Sequence, residues 1–260
     1  MEQKAAAERV NRITLARFER WILPRLAIRL PRWVTPDKLT ILGIVASLGI
    51  GGAYALTFYS LHWLWVASAL LVVHWYADSL DGTLARVRDI RRERYGFYVD
   101  HQSDAISTAV IFVGLGVSPL MLIPVALGII IAYFLMMILV NLVTIARDVF
   151  KISFAGVGPT EVRLIIIASN TLVWWLGNPR IGIWIWTPTL FDIIGVIAIA
   201  ALLVTYVVTS LMERSELARL DPTPVRNMRT EIDQAAERGD VASSATESPT
   251  TISPGTTTLA

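Results

Sequence analysis

No Asp, Glu, Lys or Arg interrupts residues 39–77 or residues 105–146. Each stretch is about twice the ~20 residues that an apolar helix needs to cross a bilayer. The first divides near Thr57 to His62 and the second at Val117-Ser118-Pro119, which predicts four spanning helices. Residues 147–163, with Gly156, Gly158 and Pro159, form a polar interruption. After it, residues 164–176 predict a short fifth span and residues 193–212 a sixth.

Ahead of the first span the pattern changes. Between Glu8 and Trp33, the apolar Val10, Ile13, Phe18, Trp21 and Ile22 alternate with Arg9, Arg12, Arg17, Arg20, Arg25, Arg29 and Arg32. This is the signature of an amphipathic helix lying at a membrane surface. Pro24 and Pro31 are expected to break or redirect it, since an interior proline removes a helical hydrogen bond. Thr35-Pro36-Asp37 then supplies an N-cap followed by proline at the first helical position, where the spanning helix should begin.

Composition agrees with a bilayer protein: 54% of the 260 residues are hydrophobic, nine are Trp and the mean hydropathy is +0.56. The net charge of +2 matters less than its distribution. Lys and Arg gather in the N-terminal region, in residues 86–94, in residues 147–163 and after Arg214. The connections near Tyr59 and Pro119 carry none, and the one near Pro179 carries only Arg180. Every second loop is basic, which predicts six spans with both termini in the cytoplasm. The many Trp residues are expected to form interfacial belts. The first ten residues show no apolar core followed by a cleavage site, so no cleavable signal peptide is expected.

The expected architecture is therefore all-α. Residues 1–38 form a cytoplasmic amphipathic segment, residues 39–213 a bundle of six transmembrane helices, and residues 214–260 a largely disordered cytoplasmic tail rich in Ser, Thr and Pro. The chain has no Cys, which removes disulfide, thiol and zinc-thiolate chemistry and leaves carboxylates, His and backbone oxygens for any metal.

The chemistry concentrates in Asp78-Ser79-Leu80-Asp81-Gly82-Thr83-Leu84-Ala85-Arg86, followed nine residues later by Gly96-Phe97-Tyr98-Val99-Asp100-His101-Gln102-Ser103-Asp104. Asp78 and Asp81 are three residues apart and Asp100 and Asp104 four, so each pair shares one helix face if the spans continue through them. The two helices are consecutive and antiparallel, and their ends can present four carboxylates to one cavity. Such a cluster repels itself unless cations neutralise it, and hard divalent ions such as Mg²⁺ are the usual partners of carboxylate oxygen. Two ions held there could grip a diphosphate. Gly82 and Ala85 keep the helix surface low enough for a nucleotide to approach, and Arg86 offers a guanidinium fork to phosphate. The competing reading is a buried ion-pair network with Arg86, Arg88 or Arg94, which would be costly at a membrane edge without a task.

These positions resemble the signature of the CDP-alcohol phosphotransferase (CDP-alcohol phosphatidyltransferase) family: D-x2-D-G-x2-A-R, a gap of eight or nine residues, then G-x3-D-x3-D. Every signature position is filled, and the lead-in Thr35-Pro36-Asp37-Lys38-Leu39-Thr40 is also similar to the family, although members often carry Asn where Asp37 stands. The resemblance implies a CDP moiety at Gly82, Ala85 and Arg86 and two divalent metals, Mg²⁺ or Mn²⁺, at Asp78, Asp81, Asp100 and Asp104. It also implies Asp104 as general base, and a homodimer. The reaction it implies is attack of an acceptor hydroxyl on the β-phosphorus of a CDP-alcohol with release of CMP, in phospholipid synthesis. The partners would be a CDP-alcohol donor, a lipid or polar alcohol acceptor and the surrounding membrane lipids, with no nucleic-acid polymer.

Other residues carry two readings each. Glu161 and Arg163 could recognise the polar head of an alcohol, or serve as helix cap and topology charge. Arg147 and Lys151 could bind an acceptor phosphate, but positive-inside placement explains them better. His74, one turn before Asp78, is expected to make a structural hydrogen bond, and His101 points about 100° away from Asp100 and is not expected to be a ligand. Two further function classes use membrane carboxylates. An aspartate-rich prenyltransferase would be expected to carry its two Asp motifs in widely separated loops. A divalent-cation transporter has no need of Gly82, Ala85 and Arg86 and would place its site near the midplane.

Overall fold

The computed structural model describes residues 16–147, 159–180, 182 and 187–221. Among them the secondary structure is helical: α1 Ala16–Arg29, α2 Pro36–Leu56, α3 Trp63–Val87, α4 Glu93–Val117, α5 Ile123–Arg147, α6 Pro159–Leu176 and α7 Leu190–Leu220. Among the described residues, those up to Glu213 form one compact unit, and those from Arg214 onward belong to another. The N-terminal half of the expected amphipathic helix, Lys151, Gly156, Gly158 and the sequence after Asp221 lie outside the described residues.

Helix α1 corrects one expectation, because it runs through Pro24 without a break. Leu23 and Ala27, either side of the proline, are buried with Leu80 and Leu84 of α3 and with Val34 and Leu39. That burial offsets the roughly 3 kcal/mol an interior proline costs. Arg20, Trp21, Arg25, Ile28 and Arg29 remain on the exposed face. Pro31 falls in the turn to α2, where the chain changes direction as expected.

That turn is fastened from α3. The Arg88 guanidinium donates to the carbonyls of Leu30 and Pro31, both at 2.9 Å, and of Val34. Thr35 then caps α2, its hydroxyl accepting from the Lys38 amide at 3.3 Å, with Pro36 at the first helical position. Asp37 on the first turn of α2 pairs with Arg92 at 3.0 Å across the α3–α4 connection.

Helix α2 packs on α3 and α4, α1 and α6 pack on α3, and α5 packs on α4. The α2–α4 crossing is closest at Gly51 and Gly114, where a methyl group added to Gly114 would overlap the Gly51 backbone. Deeper in the bundle, Tyr54 donates to Asn170 Oδ1 at 3.1 Å and Asn170 Nδ2 donates to Ser68 at 3.0 Å, tying α2, α6 and α3 through buried polar groups. At the end remote from α1, Asp192 is 1% exposed and accepts from the amides of Leu122 at 2.7 Å and Thr189 at 3.0 Å. It joins the α4–α5 turn to the start of α7.

Among the described residues, three helices, α2, α5 and α7, are long and apolar enough to cross a membrane. Their outward faces are apolar, as Ile131, Ile138, Leu142 and Ile145 of α5 illustrate, the inverse of a water-soluble bundle. Helices α3 and α4 carry the acidic motif in their adjoining halves, and α6 has 18 residues with Glu161 in its first turn. Trp65 and Trp174 meet edge to face at 5.4 Å near the start of α3 and the end of α6.

Candidate active site at the acidic end of the bundle

The helical segments around the motif do continue through it. Asp78 and Asp81 lie on α3, which extends to Val87, and Asp100 and Asp104 on α4, which begins at Glu93. Asp78, Asp81 and Asp104 line one cleft with Thr40, Gly43 and Ile44 of α2, His74 of α3, and Ser103 and Ser107 of α4.

Each carboxylate has a distinct environment. Asp81 Oδ2 accepts from the Thr40 hydroxyl at 2.9 Å, and its Oδ1 accepts from the Gly82 amide. Asp78 Oδ2 accepts from Arg163 Nη2 at 2.7 Å, with the two side chains 21% and 13% exposed. Asp104 lies within electrostatic reach of Asp78, Asp100, Asp81 and Arg163. One turn further on, Thr108 of α4 hydrogen-bonds Tyr133 of α5. Asp100 stands apart: its side chain is 51% exposed, near His101 at 3.9 Å, and it is not among the residues lining the cleft. Its charge nonetheless reaches Asp81 and Asp104.

The residues expected to meet a nucleotide flank the cleft and do not line it. Arg86 lies along its own helix, donating to the Gly82 carbonyl at 3.2 Å and to the Thr83 hydroxyl at 2.9 Å. Gly82 opens onto free space, since a methyl group there would meet nothing within 4 Å, and Ala85 is half-buried. Arg88 is spent on the α1–α2 turn, and Arg163, from 85 residues further along the chain, reaches Asp78 of the motif.

Of the secondary candidates, Arg163 is brought into the site, and Glu161, two residues before it, does not line the cleft. Arg147 pairs with Glu213 at 2.7 Å, both largely buried, which ties α5 to α7 and accounts for the arginine structurally. His101 sits against the Phe97 carbonyl at 2.9 Å, away from the cleft. His74 departs from expectation: it is 5% exposed, and its Nδ1 has no hydrogen-bond partner among the described residues.

Sequence reasoning assigned no role to Thr40, Ser103 or Ser107. The available signal was spacing: Ser103 and Ser107 fall four apart and interleave with Asp100 and Asp104 on one face of α4. Glu19 of α1 was also missed. It accepts from Trp75 Nε1 of α3 at 3.3 Å and from the Thr160 hydroxyl at the start of α6, one turn before Arg163.

The cleft offers only hard donors on its acidic side, carboxylates with the hydroxyls of Thr40 and Ser103 beside them. That donor set fits a divalent cation of the Mg²⁺ type. Among the described residues no group of three His, Cys, Asp or Glu side chains converges as a ready ligand set. Asp78 is engaged by Arg163 and Asp81 by Thr40.

The sequence profile of the CDP-alcohol phosphatidyltransferases matches residues 33–211, which takes in the whole motif, the α2 lead-in and helices α2 to α6. The chain belongs to the CDP-alcohol phosphatidyltransferase family. This family generally uses divalent metal ions. Two curated relatives are phosphatidylinositol phosphate synthases. The one from Cutibacterium acnes is 33% identical over 81 residues, 31% of this chain and 37% of its own length. The one from Streptomyces avermitilis is 30% identical over 105 residues, 40% and 41% respectively. The chain thus spans about two fifths of the curated relatives it matches. The crystal structure of Mycobacterium tuberculosis phosphatidylinositol phosphate synthase with CDP-DAG bound aligns at a TM-score of 0.49 and 22% identity, over 81% of this chain and 96% of that one.

Proposed function

We propose that this member of the CDP-alcohol phosphatidyltransferase family transfers a phosphoalcohol or phosphatidyl group from a CDP-alcohol to a hydroxyl acceptor, releasing CMP, in phospholipid synthesis. The observation that carries this reading is the cleft that gathers Asp78, Asp81 and Asp104 from two consecutive helices beside the open surface at Gly82. The acceptor oxygen attacks the β-phosphorus. The new O–P bond forms as the bond from that phosphorus to the bridging oxygen breaks, and the electron pair leaves with CMP. Asp104, at the inner edge of the carboxylates, takes the hydroxyl proton as general base. Asp78, Asp81 and Asp100 are the proposed metal ligands, with Asp104 bordering the same centre. Bound there, two Mg²⁺ or Mn²⁺ ions would neutralise the diphosphate and the developing charge on the leaving oxygen. Gly82 and Ala85 provide the low wall against which the cytidine lies, and Arg86 swings to the phosphates.

The reading includes six membrane-crossing helices, α2 to α7, with the acidic end and both termini facing the cytoplasm, and a homodimer. The alternating basic loops support the orientation.

The deciding experiment is a CMP-release assay on the purified protein against a panel of CDP-alcohols and acceptors, inositol phosphate among them in view of the curated relatives. CMP formed in step with product, and abolished by EDTA, is the expected result. Pyrophosphate released from a prenyl diphosphate, or divalent-cation flux into liposomes without CMP, would replace the reading with a prenyltransferase or a transporter.

A further inference from the structure

The cleft has two layers. Helix α2 runs inward from the acidic end, α3 runs toward that end and α4 away from it. Thr40, Asp78, Asp81, Ser103 and Asp104 therefore make an outer layer. Gly43, Ile44, His74 and Ser107 make an inner one, set deeper by three or four residues on each helix, about 5–6 Å at the helical rise.

The inner layer has no carboxylate; its polar side chains are Ser107 and His74. His74 is 5% exposed, lines the cleft, and leaves Nδ1 without a partner among the described residues. A buried ring nitrogen that makes no hydrogen bond is costly, and such groups are retained where a ligand completes them.

We propose that His74 hydrogen-bonds the glycerol-ester region of the lipid substrate, and so determines recognition of the lipid at this site. This rests on the transferase reading above. A nucleotide is too polar for the inner layer, which lies on the bilayer side of the carboxylates. The glycerol oxygens of a diacyl lipid are polar atoms that stand next to apolar chains, which matches a lone imidazole nitrogen with Ile44 beside it. The same oxygens are present whether the lipid is the donor, as CDP-diacylglycerol, or the acceptor, as diacylglycerol. His74 therefore follows the lipid in either direction of use.

The test is steady-state CMP release by the full-length protein in mixed micelles. The lipid mole fraction is varied at saturating water-soluble substrate, and then the reverse. CDP-diacylglycerol with polar alcohols and diacylglycerol with CDP-linked small alcohols form the two arms. His74→Leu should raise the apparent KM for the lipid about three- to tenfold, the worth of one neutral hydrogen bond. It should change kcat and the KM of the water-soluble substrate by less than about twofold. His74→Asn, which returns an amide close to the place of Nδ1, should recover most of the lipid affinity. Binding of CMP in the presence of Mg²⁺, measured by calorimetry, should be the same in all three proteins. Where His74→Leu does not fold, His74→Ala gives the same comparison without added bulk.

An unchanged lipid KM in an active protein overturns the assignment and leaves Nδ1 satisfied by water. So does a loss that falls on CMP binding or on kcat alone. A wild-type protein that releases no CMP from any CDP-alcohol overturns the transferase reading, and with it the lipid contact.

Discussion

Arg163 Nη2 stands 2.7 Å from Asp78 Oδ2, so the first aspartate of the motif already holds a cation supplied by α6. A guanidinium and a divalent metal cannot use the same carboxylate oxygen at full strength, and their charges repel at this distance. If Asp78 holds a metal as proposed, Arg163 would act as a competing counter-ion that stabilises Asp78 when metal is scarce. Arg163→Gln should lower the Mg²⁺ concentration for half-maximal CMP release, about three- to tenfold. It should cost the metal-free protein about 1–3 kcal/mol, since a largely buried carboxylate loses its partner. Mg²⁺ titrations of activity and of thermal unfolding check both. If the Mg²⁺ requirement is unchanged and the KM of a polar acceptor rises instead, Arg163 serves the acceptor.

The closest approach between α2 and α4, at Gly51 and Gly114, sets where Asp104 faces Thr40 and Asp81. An added methyl group has nowhere to go there except into backbone. Gly114→Ala should destabilise the bundle by about 1–3 kcal/mol, the usual cost of overpacking, and should reduce turnover because α4 must move outward. Gly52→Ala, on α2 where a methyl group meets nothing, is the control and should be close to neutral in unfolding measurements. Equal behaviour of the two variants would remove the crossing from the account of the site.

Local signals in the sequence carried most of the helices and the acidic motif. Uncharged runs locate α2 to α5, and the spacing of Asp78, Asp81, Asp100 and Asp104 marks the site because i, i+3 and i, i+4 positions share a helix face. What escaped is long-range. Thr40 meets Asp81 across 41 residues, Arg163 meets Asp78 across 85, and Glu19 meets Thr160 across 141. No periodicity announces such pairs. Pro24 was misread for the opposite reason: its local preference is a break, and tertiary burial of Leu23 and Ala27 overrides it. Asp100 shared a face with Asp104 as expected, yet the helix start leaves it in solvent, outside the cleft.

Asp192 separates stability from catalysis. It lies at the end of the bundle away from the acidic cleft and accepts from the Leu122 and Thr189 amides and the Thr189 hydroxyl, the last at 3.0 Å. Asp192→Ala leaves the buried Leu122 and Thr189 amides unsatisfied and should lower stability by about 2–4 kcal/mol. CMP release per folded molecule should stay within about twofold of wild type. Thermal unfolding in detergent and active-site-normalised assays measure the two quantities. A loss of specific activity in well-folded protein would mean that this end communicates with the cleft.

Asp104 and Asp81 should fail in different ways. Asp81 is held between Thr40 and the Gly82 amide, while Asp104 lines the same cleft from α4. Asp104 lies one turn beyond Asp100, where an acceptor hydroxyl can approach opposite the departing CMP. As the proposed general base, Asp104 would contribute to the attack and little to holding the donor. An Asp carboxylate is a weak base for an alcohol, so its share of the rate is about 10²–10⁴-fold. Asp104→Asn should therefore lose turnover by that factor while still binding the CDP-alcohol in a Mg²⁺-dependent manner. Asp81→Asn should lose both binding and turnover. Calorimetric titration of CDP-alcohol with and without Mg²⁺, beside the CMP-release assay, distinguishes them. Near-normal CMP release by Asp104→Asn would remove the base assignment. Loss of metal-dependent donor binding as complete as in Asp81→Asn would make Asp104 a metal ligand first.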